Sequence, residues 1–110
     1  MNKKEALSCM IRGDYESVPK KFRQDKSFVL QAVKQSGYAL EFADESLKKN
    51  KSVVLVAVKE NGDALEYADE SLKKDKSIVL QAVEVERFSL QFADESLQRD
   101  PDIIEAAKIK

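Results

Sequence analysis

The sequence predicts an all-α fold, a right-handed solenoid of about four ~25-residue helical repeats, each a longer helix, a shorter helix and a short helical turn. Three observations carry this. Segments 25–49 (DKSFVLQAVKQSGYALEFADESLKK), 50–74 (NKSVVLVAVKENGDALEYADESLKK) and 75–99 (DKSIVLQAVEVERFSLQFADESLQR) are near-copies, the first two agreeing at 18 of 25 positions and the first and third at 15. Asp25, Asn50, Asp75 and Asp100 each precede an apolar-periodic stretch, as helix N-caps do. The 43% apolar content suits a packed core, and a fixed period of this length marks units that bury their apolar faces only against one another.

The elements follow in order within a unit. The longer helix spans about Lys26 to Gln35, with Phe28, Val29, Ala32 and Val33 at helical spacing and Leu30 widening the stripe. Gly37 and Gly62 are placed to close that helix in the left-handed conformation, although the third copy has Arg87 there. The shorter helix covers about Tyr38 to Ala43, and Asp44, Asp69 and Asp94 cap a short turn ending near Lys49 and its counterparts. Residues 1–24 read as a divergent terminal unit, with a helix from about Lys3 to Arg12. Pro19 opens its short turn, and Tyr15, Val18 and Phe22 fill the registers of Leu40, Ala43 and Leu47. Residues 100–110 form a half-unit in which Pro101 suits a first helical position and Ile103, Ile104, Ala107 and Ile109 face back on the third copy. The whole, 1–110, is one domain; an ending midway through a unit also fits a piece of a longer array.

Composition narrows the function classes. No apolar run approaches the ~20 residues a membrane span needs, and the charged start lacks a signal peptide's apolar stretch, so a cytoplasmic protein is expected, or one secreted without a cleaved signal. The single cysteine, Cys9, sits among Leu7, Met10 and Ile11 as a buried small hydrophobe would. Residues 1–26 carry seven basic and four acidic side chains, the remainder twelve basic and sixteen acidic, which argues against a nucleic-acid partner.

The pattern D-K-x-x-V-L-x-A-V-x-x-N-G-x-A-L-x-Y-A-x-x-x-L-x-x, at Asp25 to Lys49 and Asn50 to Lys74, resembles a bacterial tandem-repeat family known only as domain of unknown function 4116. The third copy keeps V-L-x-A-V and F-A-x-x-x-L but loses the N-G turn. The resemblance implies tandem arrays in bacterial proteins and no established activity. A weaker likeness to the leucine-rich repeat variant bears on architecture alone.

No chemistry rises above this scaffold. Histidine is absent, and no nucleophile with a base can be assembled around one, so no enzyme is expected. The pairs Asp44–Glu45, Asp69–Glu70 and Asp94–Glu95 stand in register, but equivalent positions in stacked helices lie about 8–10 Å apart. Calcium–oxygen bonds are about 2.3–2.6 Å, so capping rather than a metal explains the pairs, and no cofactor is expected. The lysine pairs Lys48–Lys49 and Lys73–Lys74 suit a solvated face that also meets the next unit's aspartate. Phe42, Tyr67 and Phe92 read as core or near-core. The units differ most at Gln35 to Tyr38, Glu60 to Asp63 and Val85 to Phe88, where a partner-binding ridge is expected with Tyr38, Asp63, Arg87 and Phe88 as its leading residues. The expected function is non-enzymatic protein–protein interaction; the alternatives are a spacer within a larger repeat protein and, last, nucleic-acid binding. A monomer is expected, with apolar ends that could stack end to end.

Overall fold

The computed structural model describes residues 1–109, and over that range the chain is helical with no strand. Lys110 and the side chain of Ile109 lie outside the described residues, and so does the expected packing of Ile109. In chain order the elements are α1 (Lys3–Arg12), the 3-10 helix η1 (Tyr15–Ser17), α2 (Lys20–Arg23), α3 (Lys26–Gln35), η2 (Gly37–Phe42), α4 (Glu45–Lys48), α5 (Lys51–Glu60), η3 (Gly62–Tyr67), α6 (Glu70–Lys73), α7 (Lys76–Val85), η4 (Arg87–Phe92), α8 (Glu95–Gln98) and α9 (Pro101–Ile109).

Local chemistry explains most boundaries. The side chains of Asp25, Asn50 and Asp75 accept from the N–H of Phe28, Val53 and Ile78, and Asp100 accepts from the N–H of Asp102. Asp44, Asp69 and Asp94 each accept from both the N–H and the hydroxyl of the serine two residues on, with hydroxyl distances of 2.6–2.7 Å. The shorter helix of each copy is 3-10 rather than α. At three residues per turn it turns Gly37 and Leu40 inward together, and both are buried.

The glycine expectation is overturned. Among the described residues the only left-handed one is Gly13, at φ 88°, which closes α1 while Asp14 N–H reaches back to Cys9 C=O at 2.8 Å. In the copies the closing residues are Ser36, Asn61 and Glu86, in extended backbone. Gly37 is required for a non-local reason: a Cβ there would stand 2.5 Å from the Ala57 carbonyl oxygen of the next copy and 3.0 Å from Asn61 Cβ. At Gly62 it would run into the Ala82 carbonyl in the same way. Arg87, in the third copy, is exposed.

The long helices pack in sequence, α1 on α3, α3 on α5, α5 on α7 and α7 on α9, and η2, η3 and η4 pack on one another beside them. The molecule measures 47 × 23 × 19 Å. Ala32, Ala57 and Ala82 are fully buried between long helices, and Phe28, Val29, Val33, Leu40, Leu65, Ile78 and Ile103 complete one continuous core with no exposure. Val18 of the divergent unit joins it, with Tyr15 and Phe22 half-buried against it, and Cys9 is buried too. Val56, which replaces the glutamine of the other copies, is half-buried and packs on the core. Backbone also ties the units: the N–H groups of Asp44, Asp69 and Asp94 donate to the carbonyls of Arg23, Lys48 and Lys73, each at 3.0 Å. At the helix starts, Lys51 pairs with Asp75 at 3.0 Å and Lys76 with Asp100 at 3.2 Å.

Filling either close contact should be costly. Gly37→Ala, and separately Ala57→Leu or Ala32→Leu, is expected to lower stability by about 1–3 kcal/mol in denaturant melts followed by circular dichroism. Arg87→Gly should leave the midpoint within error; a cost equal to that at Gly37 would contradict the close-approach explanation.

Candidate functional site

Tyr38, Asp63 and Phe88 are the second residues of η2, η3 and η4, so one backbone geometry presents three unlike side chains in register. Arg87 stands one residue earlier, in the register of the glycines. Tyr38 is 41% exposed and Phe88 64%, beside an exposed Val85. Three of these four residues fall into two separate groups. The Arg87 guanidinium lies over the Phe88 ring at 4.8 Å, and both line a shallow cavity of about 340 Å³ with Leu90, Gln91 and Gln98. Tyr38 instead meets Tyr67 of the next copy edge-on, with ring centroids 6.4 Å apart.

The variable turns are partly accounted for by capping. Asn61 accepts from Asp63 N–H at 3.0 Å and Glu86 from Phe88 N–H at 3.2 Å, whereas Ser36 makes no such bond. Glu86 thus does by side-chain length what Asn61 does directly, a role that sequence comparison alone does not show.

Residues outside the expected ridge complete the face. Glu16, Glu41 and Glu66 share one register, continued by Gln91, and the next residue in each copy is an aromatic: Phe42, Tyr67 and Phe92, all half-buried. Tyr15 stacks on Phe42 with centroids 3.5 Å apart, and the two line a cavity of about 250 Å³ with Gly13, Asp14 and Glu16. Partial burial and then Glu41 push the Tyr15 phenol pKa up; for Tyr67 the causes are burial, then Glu41 and Glu66. Asp63 has an Oδ1 atom shielded from solvent without a hydrogen-bond partner, and its pKa is raised by desolvation, then by Glu86 and Glu66. The recurring Glu–aromatic dipeptide was the available sequence signal for this face.

Among the described residues the ion pairs are Lys51–Asp75, Lys76 with Asp100 and Asp102, Lys48–Glu45, Lys73–Glu70 and Arg12–Asp14. Glu41, Asp63, Glu66 and Glu86 belong to none of them. The Lys48 and Lys73 side chains serve their own short helices, while Lys49 and Lys74 help to hold the Asp69 and Asp94 carboxyls below their usual range, after the hydrogen bonds from Ser71 and Ser96. Those carboxylates are engaged in capping. Glu41, Glu66 and Asp63 beside the tyrosine rings form an anionic, aromatic surface, suited to binding a cationic group through ring faces and carboxylates together.

The two kinds of aspartate should respond oppositely to pH. Asp44, Asp69 and Asp94 have lowered pKa values, so their stabilisation is present above the unfolded carboxylate pKa and lost as pH falls through the folded one. Asp63 holds its proton more tightly when folded, so it destabilises once ionised and not when protonated. Asp63→Asn should therefore raise the melting temperature at pH 7, with the gain shrinking toward zero near pH ~3. Asp69→Ala should lower it at pH 7 and converge on the parent protein in acid. Thermal melts across that pH range check both.

No curated protein and no solved structure matches the chain significantly. The family model described as Domain of unknown function (DUF4116) matches residues 8–48 and again 50–98. The first match takes the divergent unit with the first copy, the second takes the other two copies, and by this match over most of its length the chain belongs to that family.

Proposed function

We propose that the chain is a short right-handed solenoid of about four helical repeats that works as a non-enzymatic protein-interaction module in the cytoplasm. The observation that carries the reading is the register of Tyr38, Asp63 and Phe88: one repeated backbone presents three different side chains, two of them exposed aromatics. Core and cap positions are served by like residues in each unit, whereas recognition of a partner uses unlike ones. Exposed tyrosine, phenylalanine and arginine are also the types that anchor protein interfaces. The 47 Å long axis and the regular succession of packed helices suit a scaffold that holds such a surface rigid, so little ordering cost accompanies binding. The lone, buried Cys9 is in keeping with a reducing compartment.

Affinity capture from cell lysate tests the reading, comparing the parent protein with a variant carrying Tyr38→Ala, Asp63→Lys, Arg87→Glu and Phe88→Ala, after circular dichroism has established that both fold. A protein recovered by the parent and lost from the variant supports the ridge. Equal recovery overturns the ridge, and recovery of no protein by either favours a spacer role.

A further inference from the structure

We infer that the aromatic, acidic face carrying Tyr38, Glu41, Glu66 and Tyr67 takes an extended, arginine-bearing segment of a partner protein, with an arginine at about every third residue. The inference rests on the interaction-module reading and specifies the chemistry of the partner.

The face consists of rings flanked by carboxylates. Tyr38 and Tyr67 meet edge to face across the boundary between two units, and Tyr15 stacks on Phe42 at the boundary before it. The half-buried rings are held by the core on one side and open on the other. Glu41 lies close enough to Tyr15 and Tyr67 to act on both phenols, and Glu66 acts on Tyr67 and on Asp63. Every charged group found to act on Tyr15, Asp63 and Tyr67 is acidic. No lysine or arginine among the described residues pairs with Glu41, Glu66 or Asp63. Glu41, Glu66 and Asp63 stand beside the rings with no ion-pair partner among the described residues, while the ion-paired lysines stand at the starts of α5 and α7 and in α4 and α6. A complementary partner is positive.

Ring chemistry selects arginine over lysine. A planar guanidinium stacks on an aromatic face and offers forked donors to a neighbouring carboxylate, whereas an ammonium is a compact, strongly hydrated charge. Spacing selects the backbone of the ligand. The acidic rungs Glu16, Glu41 and Glu66 recur once per unit, and packed helices stand about 8–10 Å apart, which suits the 47 Å length of the molecule. A polyproline-II segment has three residues per turn and rises about 3.1 Å per residue, so residues i and i+3 share a face ~9.3 Å apart. An arginine at every third position therefore meets one rung per turn. Gln91 ends the charged series at the third copy, so three arginines fill it.

The test uses the full chain labelled with ¹⁵N, and fluorescein-labelled peptides built from four repeats of Arg-Pro-Pro. Controls are Lys-Pro-Pro and Glu-Pro-Pro repeats and a peptide of the arginine composition with its arginines contiguous. The expected result is saturable binding of the Arg-Pro-Pro peptide, with amide shifts concentrated at residues 15–17, 37–42 and 62–67. Anisotropy should show affinity falling roughly tenfold in the double variant Glu41→Gln, Glu66→Gln and unchanged in Glu45→Gln, Glu70→Gln, which removes the same charge from the short helices. Equal weakening in both double variants would reduce the effect to net charge and overturn the inference. Tighter binding of contiguous arginines would overturn the spacing. Shifts at this face with the Glu-Pro-Pro peptide, or with none of the peptides, would overturn the basic partner; the first of these leaves the interaction-module reading standing, and the second leaves it to the capture experiment.

Discussion

The carbonyl of Ala57 accepts the N–H of Asn61 at the close of its own helix and at the same time lies against the Cα of Gly37 in the preceding unit, at a distance that excludes any side chain. Ala82 stands in the same relation to Gly62. At these two boundaries the approach limits how far one unit stands from the next, and the other contacts there fit the same spacing. Ala32, Ala57 and Ala82 fit between long helices because a larger residue would hold them apart. The N–H groups of the short-helix caps then reach the preceding carbonyls at hydrogen-bonding distance. The 3-10 helices stack closely enough for Tyr38 to meet Tyr67. Scaffold spacing and surface spacing are one quantity.

Sequence carried the local part of this structure. Asp25, Asn50, Asp75 and the short-helix aspartates act within three residues of themselves, so their roles could be read from a few letters of sequence. A glycine after a helix has a common local explanation, left-handed closure, and at Gly37 and Gly62 that explanation hides the tertiary one. Gly13 shows the local explanation at work in the same chain. The ridge was legible as a set of unlike residues at Tyr38, Asp63, Arg87 and Phe88, but its division into a Tyr38–Tyr67 part and an Arg87–Phe88 part depends on which rings touch across units. The anionic character of the face was hidden for a similar reason. Overall charge is near balance, and only the three-dimensional pairing of lysines with Asp75, Asp100 and Glu70 shows which carboxylates are left over.

The two classes of carboxylate illustrate how a nearly invariant unit accommodates individuality. Cap aspartates are hydrogen-bonded and stabilising, which explains their recurrence in every copy. Asp63 is shielded, lacks a hydrogen-bond partner at one oxygen and lies near Glu66 and Glu86, a combination that costs stability. Such positions are tolerated where something other than folding acts on the residue.

The boundaries between units are fastened by different means. Lys51–Asp75 and Lys76–Asp100 pin the two later boundaries at the helix starts, whereas Asn50 offers Lys26 no carboxylate at the first. The first boundary has instead the Tyr38–Tyr67 contact between its 3-10 helices. Raised ionic strength loosens exposed ion pairs and leaves ring contacts untouched. The two later boundaries therefore carry a salt-sensitive contact that the boundary at Asn50 lacks.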